Sequence, residues 1–498
     1  MNWPDAFPVW GSAAAVALHV LFLLYILYCK TGDPSGAAFW LMTAAVFPLG
    51  GFVLFLFFGM PGRRRMTFHI AKVHARMRNA HARRRMFGEE IARLDRALTR
   101  FVADTPEARA PRNAMLDRLF PESPLLTGNH TELLIDGTEA YPRMLSDIAA
   151  AKVAVRLQSF ILTADEVGRR FLDALEKKAD EGVDVKILFD SFGSFRAYFS
   201  TGFRRALRKR RPHLAMRAFS PLNLYAPWLF QMRNHRKLLV IDGRIAYTGG
   251  INISAENERL EKVPPSRYIH DLHCRITGPA VAQFAMSFFR DWSYAVRRHP
   301  DGIAVAGELV PPEKTGEDTL RVIQSGPGCH DEGSRDLFYA AAMQARESLT
   351  VLTPYFVPGA QFSELLCMVA ARGVDVRIIV PKHNNHKFVD LAARSVYGKL
   401  LEYGVRIYEK RGTFSHIKAL LADGSWGFMG SSNCDNRSFR LNYELDFWFE
   451  GGPAAEALGR EIREELAECD EVTLFDAARK KVWRQLLENA CALLSPVL

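Results

Sequence analysis

The sequence predicts an α/β protein with two similar halves related by a pseudo-two-fold axis, preceded by a hairpin of two membrane-spanning helices. Two features of the 498-residue chain lead to this fold class: two long apolar stretches near its N-terminus and an internal repeat in the remainder. With 48% hydrophobic and 24% charged residues, the composition is that of a globular protein. It therefore excludes a disordered chain and a bundle made mostly of membrane helices.

The apolar stretches cover residues 9–28 and 37–60, and neither contains Lys, Arg, Asp or Glu. As helices, both are long enough to cross a hydrocarbon core of ~30 Å. The first lacks the basic start of a cleaved signal peptide, and a second apolar stretch follows at once. Pro48 interrupts the second stretch and indicates either a kink or the usual tolerance of membrane helices for proline. We therefore predict two transmembrane helices within residues 1–60.

A basic segment follows the second apolar stretch. Between Arg63 and Arg85 the chain has nine Lys and Arg residues and no acid, which is nearly all of its net charge of +10. The positive-inside rule then predicts that this flank and everything after it face the cytoplasm, with the segment against anionic headgroups. Because the remainder is nearly neutral, a diffusely basic nucleic-acid binder is disfavoured. We predict that residues 61–118 form a basic juxtamembrane and helical linker.

Cysteine usage predicts neither a zinc site nor a disulfide framework, because no CxxC or Cys/His spacing occurs. The seven cysteines are widely scattered, as expected of small apolar fillers in a reducing compartment. They are Cys29, Cys274, Cys329, Cys367, Cys434, Cys469 and Cys491.

An internal repeat divides the rest of the chain. Glu181–Lys186 reads EGVDVK and Arg372–Arg377 reads RGVDVR, and each follows a strand-like run and an amphipathic helical pattern. This order predicts a parallel α/β sheet in each half. We predict a first half over residues 119–305 and a second over residues 306–498.

A longer motif recurs later in each half, NHRKLLVIDGRIAYTGGINIS from Asn234 to Ser254 and SHIKALLADGSWGFMGSSNCD from Ser415 to Asp435. Chance would give an HxKxxxxD triple only about 0.03 times in a chain of this length. Five residues match at identical offsets in the two copies, namely His235, Lys237, Asp242, Gly249 and Asn252 with His416, Lys418, Asp423, Gly430 and Asn433.

The repeated residues predict a site for a singly charged phosphodiester. Period two places the His and Lys of each motif on one face of a strand, whereas the Asp lies in an Asp-Gly turn and is expected to brace the strand end. Two motifs together supply two imidazoles, two ammonium groups and two amides, without a carboxylate cluster for Mg²⁺ or Ca²⁺. One imidazole can attack phosphorus while the other protonates the leaving alcohol, so we expect no metal and no cofactor.

The paired motifs resemble those of the phospholipase D superfamily, and the whole chain is similar to bacterial cardiolipin synthases with two N-terminal membrane helices. Further stretches carry the resemblance: ADEVGRRFLDAL at 164–175, QSGPG at 324–328, LTPYFVPG at 352–359 and GSSNCDNRSFRLNYE at 430–444. The resemblance implies two phospholipase D-like α/β sandwich halves in a multi-pass protein of the bacterial inner membrane. It also implies transphosphatidylation, in which two phosphatidylglycerol molecules give cardiolipin and glycerol through a phosphatidyl-histidine intermediate.

The resemblance also implies roles for individual residues. His235 and His416 are the nucleophile and the general acid/base, with His235 favoured as nucleophile, and Asp271 and Glu444 are expected to orient His235 and His416 respectively. The implied catalytic set is His235, Lys237, Asp242, His416, Lys418 and Asp423, and the implied phosphate-binding residues are Asn252 and Asn433 with the two lysines.

Two positions depart from the family pattern. Gln158 stands where family members commonly carry Glu, and Ile269-His270 stands where a Trp-Arg pair is usual before Asp271. These departures leave the acceptor alcohol open.

Other functions remain open at this stage. A phosphatidyl hydrolase or a phosphatidylserine synthase-like transferase would use the same covalent intermediate, although a membrane hairpin favours a lipid acceptor. A nuclease is disfavoured because the basic segment adjoins the membrane rather than a groove lined with aromatics. An inactive scaffold binding anionic lipid is disfavoured by two intact motifs. Oligomeric state and acyl-chain preference are not predicted.

Overall fold

The computed structural model describes residues 3–30, 34–59, 75, 91–200, 212–219, 230–296, 310–328, 330 and 332–495. Apart from residue 75, the basic segment predicted to flank the membrane lies outside the described residues.

Three helices form the N-terminal region: α1 (Trp3–Cys29), α2 (Pro34–Val46) and α3 (Pro48–Leu54), followed by a π turn over Phe55–Gly59. The second predicted span is thus two helices that meet at Pro48, where proline is tolerated because the first turn of a helix needs no N–H. A few large side chains pack together between the helices, whereas most other apolar side chains of the hairpin are exposed. Among the described residues, no helix combines the length and the hydropathy needed to cross a membrane.

Helices and strands make up most of the rest of the described chain. The further helices are α4 (Pro111–Leu119), α5 (Asp136–Ala150), α6 (Glu166–Asp180), α7 (Phe195–Phe199), α8 (Ala255–Glu258), α9 (Val281–Ala295), α10 (Gly333–Gln344), α11 (Gly359–Ala371), α12 (Lys387–Arg394), α13 (Tyr397–Glu402), α14 (Asn436–Arg440), α15 (Gly452–Ala467), α16 (Leu474–Ala478) and α17 (Val482–Ala492). The strands are β1 (Leu126–Ile135), β2 (Ala154–Ser159), β3 (Asp184–Phe189), β4 (Leu214–Ala218), β5 (Leu238–Ile241), β6 (Ile245–Gly249), β7 (Ile269–His270), β8 (Leu272–Thr277), β9 (Asp318–Ser325), β10 (Ser348–Leu352), β11 (Phe356–Val357), β12 (Asp375–Pro381), β13 (Arg406–Lys410), β14 (Phe414–Ser415), β15 (Ala419–Ala422), β16 (Trp426–Gly430), β17 (Cys434–Asp435), β18 (Glu444–Glu450) and β19 (Cys469–Val472).

The two halves share one continuous sheet of 15 strands, in the order β19-β13-β12-β10-β15-β16-β18-β9-β1-β8-β6-β5-β2-β3-β4. Strands β1 and β9 pair antiparallel at the centre, and equivalent strands follow on both sides, with β19 added at one edge. This order has the predicted pseudo-two-fold symmetry. The prediction of a parallel sheet is confirmed for β2-β3-β4 and β10-β12-β13, which include the strands of the repeat, but it is wrong for the inner strands of the large sheet, which are antiparallel.

Helices cover both faces of the sheet, and strand alternation sorts the side chains between them. In β5, Leu238 and Val240 belong to the buried cluster under α9, whereas Leu239 and Ile241 belong to the cluster under α5 and α6. Helices α9 and α15 contribute to one cluster that spans both halves. The halves are therefore joined by a shared core as well as by the sheet.

Candidate active site

The two HxK segments meet the opposite half of the protein through short backbone pairings. The His235 N–H donates to the carbonyl of Tyr443 at 2.9 Å, next to a bridge between Asn234 and Tyr443. In the second half, β14 pairs with β7, and the His416 N–H donates to the carbonyl of His270 at 2.7 Å. Each motif is thus held against the strand that leads into the other half's central sheet.

This crossing, in which each HxK segment pairs with the opposite half, determines which carboxylate contacts which imidazole. His235 Nδ1 lies 3.0 Å from Glu444 Oε2, and His416 Nδ1 lies 2.7 Å from Asp271 Oδ2. The predicted pairing of Glu444 with His416, and of Asp271 with His235, is therefore wrong. Glu444 directly follows the residue that pairs with His235, and Asp271 directly follows the residue that pairs with His416.

The His235 ring is fixed by two acceptors on one nitrogen. Its Nδ1 also lies 3.1 Å from the carbonyl of Ser431, and because a carbonyl can only accept, Nδ1 carries the proton. Glu444 takes further bonds from the hydroxyls of Ser431 and Ser438 and from the Asn442 amide. The carboxylate is thereby held in one orientation, which leaves Nε2 of the imidazole with a free lone pair.

The second carboxylate has a different environment. Asp271 accepts from the Leu272 N–H at 2.9 Å and lies 3.3 Å from Lys418 Nζ. Gly250 packs so close that a Cβ there would lie 2.1 Å from Asp271 Oδ1, whereas the matching position of the second motif is Ser431. Burial raises the pKa of both carboxyls, but the cationic neighbours outweigh it and hold the pKa of Asp271 and of Glu444 below its usual value.

Both motif lysines are buried beside their histidines. Lys237 Nζ donates to the carbonyl of His235 at 2.6 Å, and Lys418 Nζ lies 2.7 Å from His416 Nδ1. Burial lowers the pKa of Lys237 to about 7, and burial together with Lys418 lowers the pKa of His416 to about 3. Burial likewise lowers the pKa values of Lys418 and His235. Burial of these groups thus disfavours extra positive charge, and a bound anion beside them would favour the charged forms.

The motif aspartates lie at strand turns rather than among the histidines. Asp242 accepts from the N–H groups of residues 152–154, each at 2.8 Å, and Asp423 accepts from those of residues 346–348. Both have positive φ, 52° and 51°, as the tight Asp-Gly hairpin turn requires. Each carboxylate therefore ties the start of β2 or β10 to this turn, as the sequence predicted.

The two motif asparagines are buried near the histidines. Asn252 Oδ1 accepts from the Ile161 N–H at 3.1 Å, next to Phe160, whose ring packs edge-on against His235 with centroids 4.8 Å apart. Asn433 follows Ser431 by two residues, and its Oδ1 is buried without a hydrogen-bond partner among the described residues. Both amides thus lie in the loops that surround the imidazoles.

Sequence reasoning missed three contributors to the site. Arg236, between the motif His and Lys, donates from Nε to the Glu444 carbonyl at 2.9 Å and pairs with Asp291 at 2.6 Å. Phe160 and Tyr355 pack their rings against His235 and His416. The sequence carries no signal for the contact of Arg236, because its partner Glu444 lies 208 residues away.

Gln158, one departure from the family pattern, is buried behind the first motif. Its Nε2 donates to Asn234 Oδ1 at 2.8 Å and to Asp291 Oδ2 at 2.6 Å. An amide donates to this carboxylate, whereas an ionised Glu could only accept.

His270, the other departure, joins the halves through a buried charge cluster. Its Nδ1 lies 2.9 Å from Asp136 Oδ1, and its Nε2 lies 3.0 Å from Glu465 Oε1 and 3.3 Å from Glu461 Oε1. Burial lowers the pKa of His270, but these carboxylates outweigh it and raise it to about 11. His270, Glu461 and Glu465 have a spacing that could also hold a metal ion, but the imidazolium and Lys410 already supply positive charge.

The His270 cluster makes stability depend on pH. The pKa of His270 is about 11 in the folded protein and ~6.5 in the unfolded chain. Its contribution to the free energy of unfolding is therefore full below pH ~6.5 and falls as the pH rises towards 11. We expect the free energy of unfolding of the wild type to fall relative to His270→Arg by up to about 1.4 kcal/mol per pH unit in this window. Melting temperatures from pH 7 to 10 measure the difference, and parallel curves for the two proteins would contradict it.

Comparisons with known proteins show which family and fold the chain resembles. A family model described as "Cardiolipin synthase, PLD-like domain" matches residues 144–292 and 339–466. A cardiolipin synthase of Halalkalibacterium halodurans is 29% identical over 98% of this chain and 94% of its own, and one of Listeria innocua is 30% identical over 97% of each. Among solved structures, a phosphatidylserine synthase of Haemophilus influenzae has a TM-score of 0.58 and 16% identity, covering 78% of this chain and 100% of its own. That likeness shows a shared fold.

Proposed function

This chain belongs to the cardiolipin synthase family, and from that membership we propose that its crossed histidine motifs convert two phosphatidylglycerol molecules into cardiolipin and glycerol. The observation that carries the mechanism is the crossing itself. It gives each imidazole a carboxylate from the opposite half, and each imidazole also interacts electrostatically with the buried lysine of the other motif.

The first step forms a phosphatidyl-histidine. The Nδ1–H of His235 donates a hydrogen bond to Glu444 and keeps its proton. The unprotonated Nε2 therefore attacks the phosphorus of the first phosphatidylglycerol. The bond from phosphorus to the glycerol oxygen breaks, and His416 gives that oxygen its proton. Asp271 stabilises the protonated His416, and the negative phosphodiester beside it favours the same state.

The second step reverses the roles. Neutral His416 takes the proton from a free hydroxyl of a second phosphatidylglycerol, and the resulting oxygen attacks phosphorus as the bond to His235 breaks. The products are cardiolipin and the restored His235. Lys237, Lys418, Asn252 and Asn433 hold the non-bridging oxygens, where charge accumulates in both transition states.

We further propose that α1–α3 anchor the enzyme in the bacterial inner membrane and that the two halves face the cytoplasm. Exposed apolar side chains on these helices, including Leu18, Leu21 and Leu49, support this proposal. Gln231 Nε2 donates to the Phe57 carbonyl at 3.0 Å, which links the end of the hairpin to the chain just before His235. In this arrangement residues 1–60 are the anchor, 61–118 the linker, and 119–305 and 306–498 the two catalytic halves.

Product analysis tests the reaction directly. Purified full-length protein is incubated with phosphatidylglycerol alone in mixed micelles, and the lipids are analysed by mass spectrometry. Cardiolipin and glycerol in equal amounts are expected. Phosphatidic acid without cardiolipin would instead make the protein a hydrolase, and a strict need for a nucleotide-activated lipid and serine would make it a phosphatidylserine synthase.

Substrate binding is expected to take up a proton. Burial lowers the pKa of Lys237 to about 7, and a bound phosphodiester would raise it, so affinity falls by up to about tenfold per pH unit above pH 7. Calorimetry with glycerophosphoglycerol and a His235→Gln variant, in buffers of different protonation enthalpy, measures the uptake. Adding Lys237→Met should reduce it, and heats that do not depend on the buffer would contradict the prediction.

A further inference from the structure

The C-terminal helix α17 has an unusual distribution of side chains. Its buried side chains are Glu488 and Cys491, 1% and 3% exposed, whereas Trp483 and Leu486 are 62% and 64% exposed. Val482 and Leu487 in the helix are exposed as well, and so is Leu493, which directly follows it. A helix on the surface of a soluble protein normally shows the opposite pattern, with its apolar stripe towards the core. The apolar face of α17 is therefore available to a partner.

Basic residues border this face. Arg479, Lys480 and Lys481 precede the helix, and Arg484 lies in its first turn. The acidic residue of the helix, Glu488, is buried and accepts from Lys480 at 2.7 Å and from Arg484 at 3.3 Å, so the exposed Arg479 and Lys481 supply the positive charge at this face. The outward surface therefore combines an apolar stripe, a tryptophan and positive charge, which is the composition of helices that lie in the interface of an anionic membrane.

The helix is connected to the second HxK motif through an intervening helix and two rings. It packs on α12, which follows His386 and carries Phe388, 63% exposed. The His386 ring packs against Tyr355 with centroids 5.6 Å apart, and Tyr355 packs against His416 at 6.1 Å. A chain of packed side chains thus connects the element beneath α17 to His416.

We propose that α17 is an in-plane membrane-binding helix that seats the second half of the enzyme on an anionic lipid surface, so that lipids reach His416 from the bilayer. The proposal rests on the proposed function, because the substrate is an anionic lipid. A lipid surface fits better than a second copy of the chain, because two copies would bring the basic residues beside this face together. The face is the stripe of Val482, Trp483, Leu486, Leu487 and Leu493.

Two measurements on the full-length protein test the proposal. Vesicles of brominated phosphatidylglycerol should quench the fluorescence of wild-type protein more than that of Trp483→Phe, and the difference isolates Trp483. The double variant Trp483→Ser/Leu486→Ser should lose about tenfold in kcat/KM on phosphatidylglycerol vesicles. It should keep the wild-type rate on monomeric dihexanoyl phosphatidylglycerol, which needs no surface.

The matched control is Met343→Ser/Met368→Ser, which removes two exposed apolar side chains elsewhere on the second half and should leave both rates unchanged. Equal vesicle rates for the Trp483/Leu486 variant and this control would overturn the proposal. A loss of self-association by the Trp483/Leu486 variant in sedimentation would also overturn the proposal, because it would assign the face to a second copy of the chain. If neither the wild type nor the variants make cardiolipin from either substrate, the proposed function fails. The quenching of Trp483 by brominated lipid would still decide whether α17 contacts lipid.

Discussion

Replacing His235 or His416 by glutamine is expected to reduce cardiolipin formation by about 10⁴-fold or more, because each removes a group that forms or breaks a bond to the reacting atoms. Glutamine keeps a side-chain amide that can still donate to Glu444 or Asp271, so the fold should persist. Circular dichroism and melting temperature check the fold, and lipid mass spectrometry measures the rate. Substantial turnover by either variant would contradict the two-imidazole mechanism.

An activated substrate separates the roles of the two histidines. A phosphatidyl-p-nitrophenol has a leaving group that departs without a proton, so it needs the nucleophile but not the acid. His416→Gln should release about one equivalent of p-nitrophenol per enzyme and then stop, whereas His235→Gln should release none. The opposite result would make His416 the nucleophile.

The second large effect is expected at the crossed carboxylates. Asp271→Asn and Glu444→Gln replace an acceptor by an amide of the same size, which can favour the wrong imidazole tautomer, as in serine-protease triads. Cardiolipin synthesis should fall by about 10² to 10⁴-fold in each variant. With the activated substrate, Asp271→Asn should retain the burst, because it impairs His416, whereas Glu444→Gln should lose it, because it impairs His235.

Asp446→Asn is the matched control for this experiment. Asp446 lies on the same strand as Glu444 and is equally buried, but its carboxylate bonds to Ser432 rather than to an imidazole. Asp446→Asn should therefore lower cardiolipin synthesis much less than Asp271→Asn or Glu444→Gln. If His416→Gln kept the burst while Asp271→Asn lost it and Glu444→Gln retained it, the imidazoles would be oriented by the carboxylates of their own halves, contrary to the contacts seen here.

The sequence was sufficient for features that depend on local pattern. Identical offsets predicted two equivalent motifs, and the Asp-Gly pairs predicted the turns at Asp242 and Asp423, where positive φ and three backbone N–H bonds are found. The interruption predicted at Pro48 is present as the boundary of two helices. Membrane insertion of these helices stays a prediction, as do the individual roles of the site residues.

Features that depend on docking between distant segments could not be predicted. Asp271 and Glu444 were identified as partners of the histidines, but their assignment was reversed, because a single motif carries no information on how two halves interlock. The predicted direction of the inner strands is also wrong, because buried apolar strands have similar sequences whether they pair parallel or antiparallel. Arg236 acts through a backbone carbonyl 208 residues away, which no spacing reveals.

The crossed pairing also sets when activity can first appear during synthesis of the protein. His235 precedes Glu444 by 209 residues, and Asp271 precedes His416 by 145. A growing chain therefore passes through a long stage in which the first imidazole has no carboxylate and the second has not been made. We therefore expect such a nascent chain to be inert towards lipids, and activity to arise in a single event when the completed second half folds onto the first.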